Sequence, residues 1–123
     1  MQDRTIVLII DDDNRNIFAL LLALKGRGYT AVSAMGAEEG LAIMRENAHI
    51  RVVLMDMMMP EMDGYEALRL IGEDTIYSSI PVVAVTAQAM FGDREKCLAA
   101  GAKEYISKPV DIDKLIAIIE KVS

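Results

Sequence analysis

Acidic side chains follow two apolar segments of this sequence that have the pattern of buried strands. Asp11 and Asp12 come directly after the segment Thr5 to Ile10, and Asp56 follows the segment Val52 to Met55. Carboxylates about 4 Å apart repel by ~4 kcal/mol at an effective dielectric of 20. Gathered together, they must protonate, move apart or hold a cation. Mg²⁺ suits such a group best, because it prefers oxygen ligands and is commonly held by one or two carboxylates plus a substrate phosphate.

Three further residues could complete a site for phosphoryl chemistry. A carboxylate left partly free beside the ion can attack phosphorus, and Asp56 is the candidate nucleophile. Thr86 offers a hydroxyl donor and Lys108 a mobile positive charge, and both suit phosphoryl oxygens. Lys108-Pro109 is an X–Pro bond, and we hypothesise a cis form, which would direct the lysine back over the sheet edge.

Five strand-like segments alternate with five helix-like segments. The predicted strands are Thr5 to Ile10, Tyr29 to Met35, Arg51 or Val52 to Met55, Val82 to Val85, and Glu104 to Ser107. The predicted helices are Asn14 to Arg27, one opening at Gly36 with Leu41, Met44 and Ala48 on one face, Tyr65 to Gly72, Asp93 to Ala100, and one after Asp111. This alternation predicts an α/β fold with one doubly wound, five-stranded parallel sheet, flavodoxin-like, in the order 2-1-3-4-5. That order brings Asp11, Asp12 and Asp56 to one topological switch point.

Helix caps explain the acids that the site does not need. Asp13 is free to cap the first helix, and Asp63 with Glu66 resembles a capping box at the start of the third. Asp111 can cap the last helix, whose Ile112, Leu115, Ile116 and Ile119 are predicted to face inward.

Composition narrows the class of protein. The chain has 123 residues, 53% of them hydrophobic and 26% charged, which predicts a single domain over residues 1–123 with a real core. Its net charge of −6 argues against direct nucleic-acid binding and against an anionic membrane surface. The one cysteine cannot form an internal disulfide, and no apolar run approaches the ~20 residues of a membrane helix. We therefore expect a cytoplasmic domain, without a signal peptide.

Taken in order, these motifs resemble the response-regulator receiver domain of two-component signalling over the whole chain. The motifs are Asp11-Asp12, the loop Asp56…Met59-Pro60…Met62-Asp63-Gly64, Thr86-Ala87, and Ala99-Ala100-Gly101-Ala102 followed by Lys108-Pro109. The resemblance implies that Asp56 accepts a phosphoryl group from a histidine of a kinase or a histidine phosphotransfer protein. It implies that Asp11, Asp12, Asp56 and the backbone carbonyl of Met58 bind Mg²⁺. Thr86 and Lys108 would grip the phosphoryl group, and Tyr105 would turn inward when Thr86 moves.

The resemblance also implies how a signal would leave the domain. The face formed by the fourth helix, the fifth strand and the fifth helix would contact a downstream protein or a second copy of the domain. Such a phosphorelay protein catalyses its own phosphorylation and dephosphorylation and is not a turnover enzyme alone. The segments Asp11 to Asn16 and Lys108 to Asp113 are similar to receiver modules of hybrid histidine kinases, which leaves open a free-standing protein or an excised module.

The same residues also allow purely structural interpretations and other functional hypotheses. Each site residue alone would be ordinary: Thr86 a strand-end threonine, Lys108 a solvated lysine, Tyr105 a packing residue. His49 is predicted to be a solvated loop residue, and Cys97 a partly buried apolar group. A docking module indifferent to phosphorylation is the second hypothesis. An aspartyl-nucleophile phosphatase is set aside, because Met58 stands where such enzymes need a second carboxylate.

Overall fold

Strands and helices alternate along the chain. The computed structural model describes residues 6–47, 49–57, 68–69, 71, 73, 80–86 and 93–122. The strands are β1 Ile6–Ile10, β2 Thr30–Ala34, β3 Ile50–Asp56, β4 Val82–Thr86 and β5 Glu104–Ser107. The helices are α1 Asn14–Gly26, α2 Ala37–Glu46, α3 Asp93–Ala99 and α4 Ile112–Val122.

The five strands form one parallel sheet in the order β2-β1-β3-β4-β5, which confirms the predicted topology. The direction of winding reverses between β1 and β3, which are neighbours in the sheet. Ile10 at the end of β1 aligns with Met55 in β3. Residues that follow these two positions therefore emerge side by side at the carboxyl edge of the sheet.

The central strands are buried on both faces because helices cover both sides of the sheet. In β1, Val7 and Ile9 pack with Leu24 of α1 and Leu115 of α4. The alternate residues Leu8 and Ile10 belong to the core on the opposite face, with Met44 of α2 and Cys97 of α3. Full burial of an aliphatic side chain of this size stabilises the fold by ~1.5–3 kcal/mol. The carboxyl edge of the sheet is therefore supported by a packed core on each face.

Two of the predicted helix caps are confirmed. The Asp13 side chain accepts a hydrogen bond from the Arg15 backbone N–H at 3.0 Å, at the start of α1. Asp111 Oδ1 accepts from the backbone N–H groups of Asp113 and Lys114 at 2.9 and 3.3 Å, at the start of α4. Each cap satisfies donors that the first helical turn leaves without a partner.

The buried face of α2 differs from the prediction. The structure buries Ala37, Gly40 and Met44, whereas Leu41 is only partly buried against the core and Ala48 lies outside the described residues. Gly40 was missed because α2 approaches β1 closely at this point. A Cβ added to Gly40 would come within 2.8 Å of Ile10 Cγ1, so only glycine fits without displacing a neighbour.

The part of the chain that the structure describes contains four complete helices where five were predicted. The helix predicted over Tyr65 to Gly72, and its cap Asp63, fall largely outside the described residues. Among those that are described there, Leu68 and Ile71 are helical and buried, and Arg69 forms an ion pair with Glu73 at 2.9 Å. Other element ends differ from the prediction by one or two residues, as helix and strand termini commonly do.

Candidate functional site

Three carboxylates meet at the carboxyl edge of the sheet. Asp56 is the last residue of β3, and Asp11 and Asp12 follow β1 directly. Each offers an oxygen that lies within 4.8 Å of those of the other two. Asp11 and Asp56 are only 2% and 4% exposed, whereas Asp12 is exposed to solvent. The sequence prediction that these three residues would converge is therefore confirmed.

Asp11 is held by two N–H groups from the start of α1. The backbone N–H of Asp13 donates to Asp11 Oδ1 at 2.9 Å, and Asn16 Nδ2 donates to Asp11 Oδ2. Asn16 was not among the site residues predicted from the sequence. Its position in the sequence could have predicted this contact. Asn16 lies three residues after the N-cap Asp13, where a helical side chain points back towards the helix N-terminus.

Lys108 brings a positive charge to the same edge. Its Nζ lies 3.6 Å from Asp11 Oδ2 and 3.7 Å from Asp56 Oδ1, and its side chain is 25% exposed. The backbone N–H of Lys108 donates to the Thr86 carbonyl at 2.9 Å, which continues the pairing of β4 with β5. The Lys108-Pro109 peptide bond is cis, as hypothesised.

Thr86 and Tyr105 lie on neighbouring strands. Thr86 is the last residue of β4 and is 2% exposed. Tyr105 aligns with Ala84, two residues before Thr86, and packs partly buried against the core. Since side chains alternate along a strand, Thr86 and Tyr105 belong to the same face of the sheet. Their place on one face is compatible with the coupling of Tyr105 to Thr86 that the resemblance implies. The inward turn of Tyr105 stays a prediction.

The donor set of the acidic cluster fits Mg²⁺. Three carboxylates supply hard oxygen ligands, and the nearby ammonium of Lys108 offsets only one of their three charges. The resemblance to receiver domains likewise implies a Mg²⁺ site at a cluster of this kind. The fourth predicted ligand, the backbone carbonyl of Met58, lies outside the described residues.

Glu104 links the three elements of the predicted output face. Its side chain, 12% exposed on β5, accepts a hydrogen bond from Lys121 Nζ of α4 at 2.9 Å and lies 3.7 Å from Arg94 of α3. The hydrogen bond from Lys121 lowers the pKa of Glu104, although desolvation by burial opposes this effect. The hydrogen bond from the Tyr105 N–H and the positive charge of Arg94 lower the pKa further. Glu104 is therefore a charged bridge between α3, β5 and α4.

Two residues that could suggest other chemistry lie apart from the site. His49 is exposed, and its backbone N–H donates to Asn47 Oδ1 at 3.0 Å. Cys97 of α3 is completely buried in the core, more deeply than predicted. No helix in the described part of the chain has the length and hydropathy to cross a membrane.

Comparisons with known proteins agree with this geometry. Residues 7–120 match the family model of the response regulator receiver domain. The polar-differentiation response regulator DivK of Brucella ovis is 34% identical over 114 residues, which cover 93% of this chain and 92% of that protein. A response regulator receiver protein from Pseudomonas putida is 29% identical, with a TM-score of 0.89 and coverage of 98% and 99%.

The chemotaxis protein CheY4 of Vibrio cholerae has the same fold. It superposes with a TM-score of 0.88 at 24% identity, with 97% of this chain and 98% of that chain covered. The family match includes the three carboxylates of the cluster, Thr86 and Lys108. The chain therefore belongs to the response regulator receiver domain family of two-component signalling.

Proposed function

We propose that this chain is a phosphoryl-accepting switch in which Asp56 takes a phosphoryl group from a phosphohistidine in a Mg²⁺-dependent step. The donor is a histidine kinase or a histidine phosphotransfer protein. The observation that carries the proposal is the place of Lys108 Nζ, within 3.7 Å of carboxylate oxygens of both Asp11 and Asp56. A cation beside a nearly buried carboxylate is suited to hold incoming phosphoryl oxygens next to the nucleophile.

The residues divide the work of the transfer between them. An oxygen of Asp56 attacks phosphorus, and the P–N bond of the donor breaks as the imidazole leaves and takes up a proton from solvent. Lys108 pairs with one phosphoryl oxygen, and the Thr86 hydroxyl donates to another. Asp11, Asp12 and Asp56, with the predicted backbone carbonyl of Met58, would hold Mg²⁺, which would supply charge neutralisation for the phosphoryl oxygens.

The phosphorylated state would signal through packing. A phosphoryl group on Asp56 draws Thr86 towards it, which frees space on the face of the sheet that Tyr105 shares. The surface of α3, β5 and α4 then changes, and Glu104 connects its three elements through Arg94 and Lys121. This surface contacts a downstream protein or a second copy of the domain.

We propose that residues 1–123 are one receiver domain that acts in the cytoplasm. DivK of Brucella is named as a response regulator and is matched over 92% of its length, and we propose a response regulator of that kind. A receiver module of a hybrid histidine kinase remains the alternative that the segments after β1 and β5 suggest. In both cases the domain catalyses its own phosphorylation and dephosphorylation and needs a partner for any further output.

The experiment is phosphorylation by a small donor that contains a P–N bond, phosphoramidate, followed by intact mass measurement. The wild-type protein gains the mass of one phosphoryl group with Mg²⁺ and loses that gain with EDTA. Asp56→Asn gains nothing. Asp13→Asn is the matched control, because the same change at an exposed helix cap leaves the gain intact. An unmodified wild-type protein, or a gain that persists in Asp56→Asn, would contradict the proposal, whereas a partner affinity unchanged by phosphorylation would favour the docking module.

A further inference from the structure

Asn16 contacts the acidic cluster from the first turn of α1. Its amide Nδ2 donates to Asp11 Oδ2, the oxygen that also lies 3.6 Å from Lys108 Nζ. Asn16 is half-buried, and Asp11 is almost completely buried. One carboxylate oxygen is thus shared between a neutral donor and a cation.

The chemistry of an amide suits this position. Its N–H₂ donates to a carboxylate without bringing a second negative charge, which a glutamate or aspartate at the same place would do. The backbone N–H of Asp13 holds the other oxygen of Asp11 at 2.9 Å. With one donor on each oxygen, the orientation of the carboxylate is fixed by α1 and not by Lys108.

We propose that Asn16 is a positioning residue, which holds Asp11 in the orientation that offers an oxygen to a divalent cation. This inference rests on the proposed function and extends it to a residue outside the ligand set. Without the amide, Asp11 Oδ2 keeps only its ion pair with Lys108, and that pair competes with the divalent cation for the same carboxylate. Hydrogen-bond partners of ligating carboxylates commonly set metal affinity by about 10- to 100-fold.

The test is a calorimetric titration of the unphosphorylated protein with Mg²⁺ alone. Asn16→Ala is expected to raise the Kd for Mg²⁺ by about 10- to 100-fold, the size of effect typical of such partners. Asn16→Leu, which keeps the number and branching of the side-chain heavy atoms and removes the donor, is expected to do the same. Asn16→Gln, which keeps an amide donor on a longer stem, is expected to fall between Asn16→Ala and the wild type. Asn14→Ala is the matched control, an exposed asparagine on the same turn.

A second readout separates positioning from a general structural role. Phosphorylation rates are measured against Mg²⁺ concentration with phosphoramidate as donor. For Asn16→Ala the half-saturating Mg²⁺ concentration rises, while the rate at saturation stays within about twofold of the wild type, because the group that reacts is unchanged. Urea unfolding in EDTA shows whether each variant is folded, and Asn16→Leu replaces Asn16→Ala if the latter is not.

The outcomes distinguish the inference from the proposed function. If the wild type binds Mg²⁺ and accepts a phosphoryl group, but Asn16→Ala and Asn16→Leu bind Mg²⁺ within twofold of it, the inference is wrong and the function stands. An Asn16→Gln affinity no better than that of Asn16→Ala also contradicts the role of the amide donor. If the wild type itself neither binds Mg²⁺ nor accepts a phosphoryl group, the proposed function fails first.

Discussion

Removing the charge of Lys108 should make the fold less stable and Mg²⁺ binding tighter at the same time. Lys108 Nζ lies 3.6 and 3.7 Å from oxygens of Asp11 and Asp56, which are almost completely buried. Lys108→Met keeps most of the aliphatic stem and leaves these carboxylates without that ammonium. Each pair contributes ~4 kcal/mol of Coulomb attraction at an effective dielectric of 20, and desolvation of the charges offsets most of it.

The expected net loss in the free energy of unfolding is about 2 kcal/mol in EDTA, below the 3–5 kcal/mol typical of a fully buried broken pair. The reason is that a quarter of the Lys108 side chain is exposed. Mg²⁺ replaces the missing cation, so the stability difference narrows when Mg²⁺ is in excess. The Kd for Mg²⁺ falls about tenfold, equivalent to ~1.4 kcal/mol, since no ammonium competes for the carboxylates.

Urea unfolding with EDTA and with Mg²⁺, together with a calorimetric Mg²⁺ titration, measures both effects. Lys114→Met is the matched control, because Lys114 is exposed on α4 and the same change there should alter neither quantity. Phosphorylation of Lys108→Met is expected to slow despite the tighter Mg²⁺ binding. Unchanged stability in EDTA, or weaker Mg²⁺ binding in the variant, would refute the electrostatic reasoning.

Two further predictions concern packing and pH. Gly40→Ala should lower the free energy of unfolding by about 1–2 kcal/mol, because the new methyl group overpacks Ile10 while the gain in helix propensity is smaller. Gly26→Ala, where nothing lies within 4 Å of the added carbon, should leave urea stability unchanged or slightly raised. Glu104 has a folded-state pKa below its usual 4.5, so its contribution to stability is present above that value and is lost as the pH falls through the folded pKa. Glu104→Gln should therefore be less stable than the wild type at neutral pH and equal to it in acid, as measured by urea unfolding across that range.

A specific result would contradict each of these two predictions. A Gly40→Ala protein as stable as Gly26→Ala would mean that Ile10 moves aside at no cost. A stability difference between the wild type and Glu104→Gln that stays constant with pH would mean that the stabilising contribution of the Glu104 side chain does not come from its charge.

The sheet and its acidic edge were predictable because both depend on patterns local to each segment. A continuous apolar run such as Val82 to Val85 is typical of a buried parallel strand, and the alternation with helices fixes which strand ends meet. The bounds of β5 were predicted correctly as Glu104 to Ser107. The convergence of the carboxylates followed from the strand order, with no need for side-chain detail.

The features that were not predicted from the sequence depend on contacts between secondary-structure elements. Gly40 faces the core because α2 lies unusually close to Ile10, and helical periodicity alone does not give the distance between a helix and a sheet. The hydrogen bond from Asn16 to Asp11 depends on how α1 leaves the strand end. Cys97 is fully buried because α3 packs against the core of the sheet, which the short helical pattern did not indicate.

Identification of the phosphorylated residue tests the central claim most directly. The protein is phosphorylated from a phosphohistidine donor in Mg²⁺, and borohydride then reduces the acyl phosphate to the corresponding alcohol, which peptide mass spectrometry locates. The account predicts that the aspartate at position 56 is converted to homoserine and that EDTA abolishes the conversion. Conversion at Asp11 or Asp12, a phosphoryl group on His49, or no modification at all would contradict it.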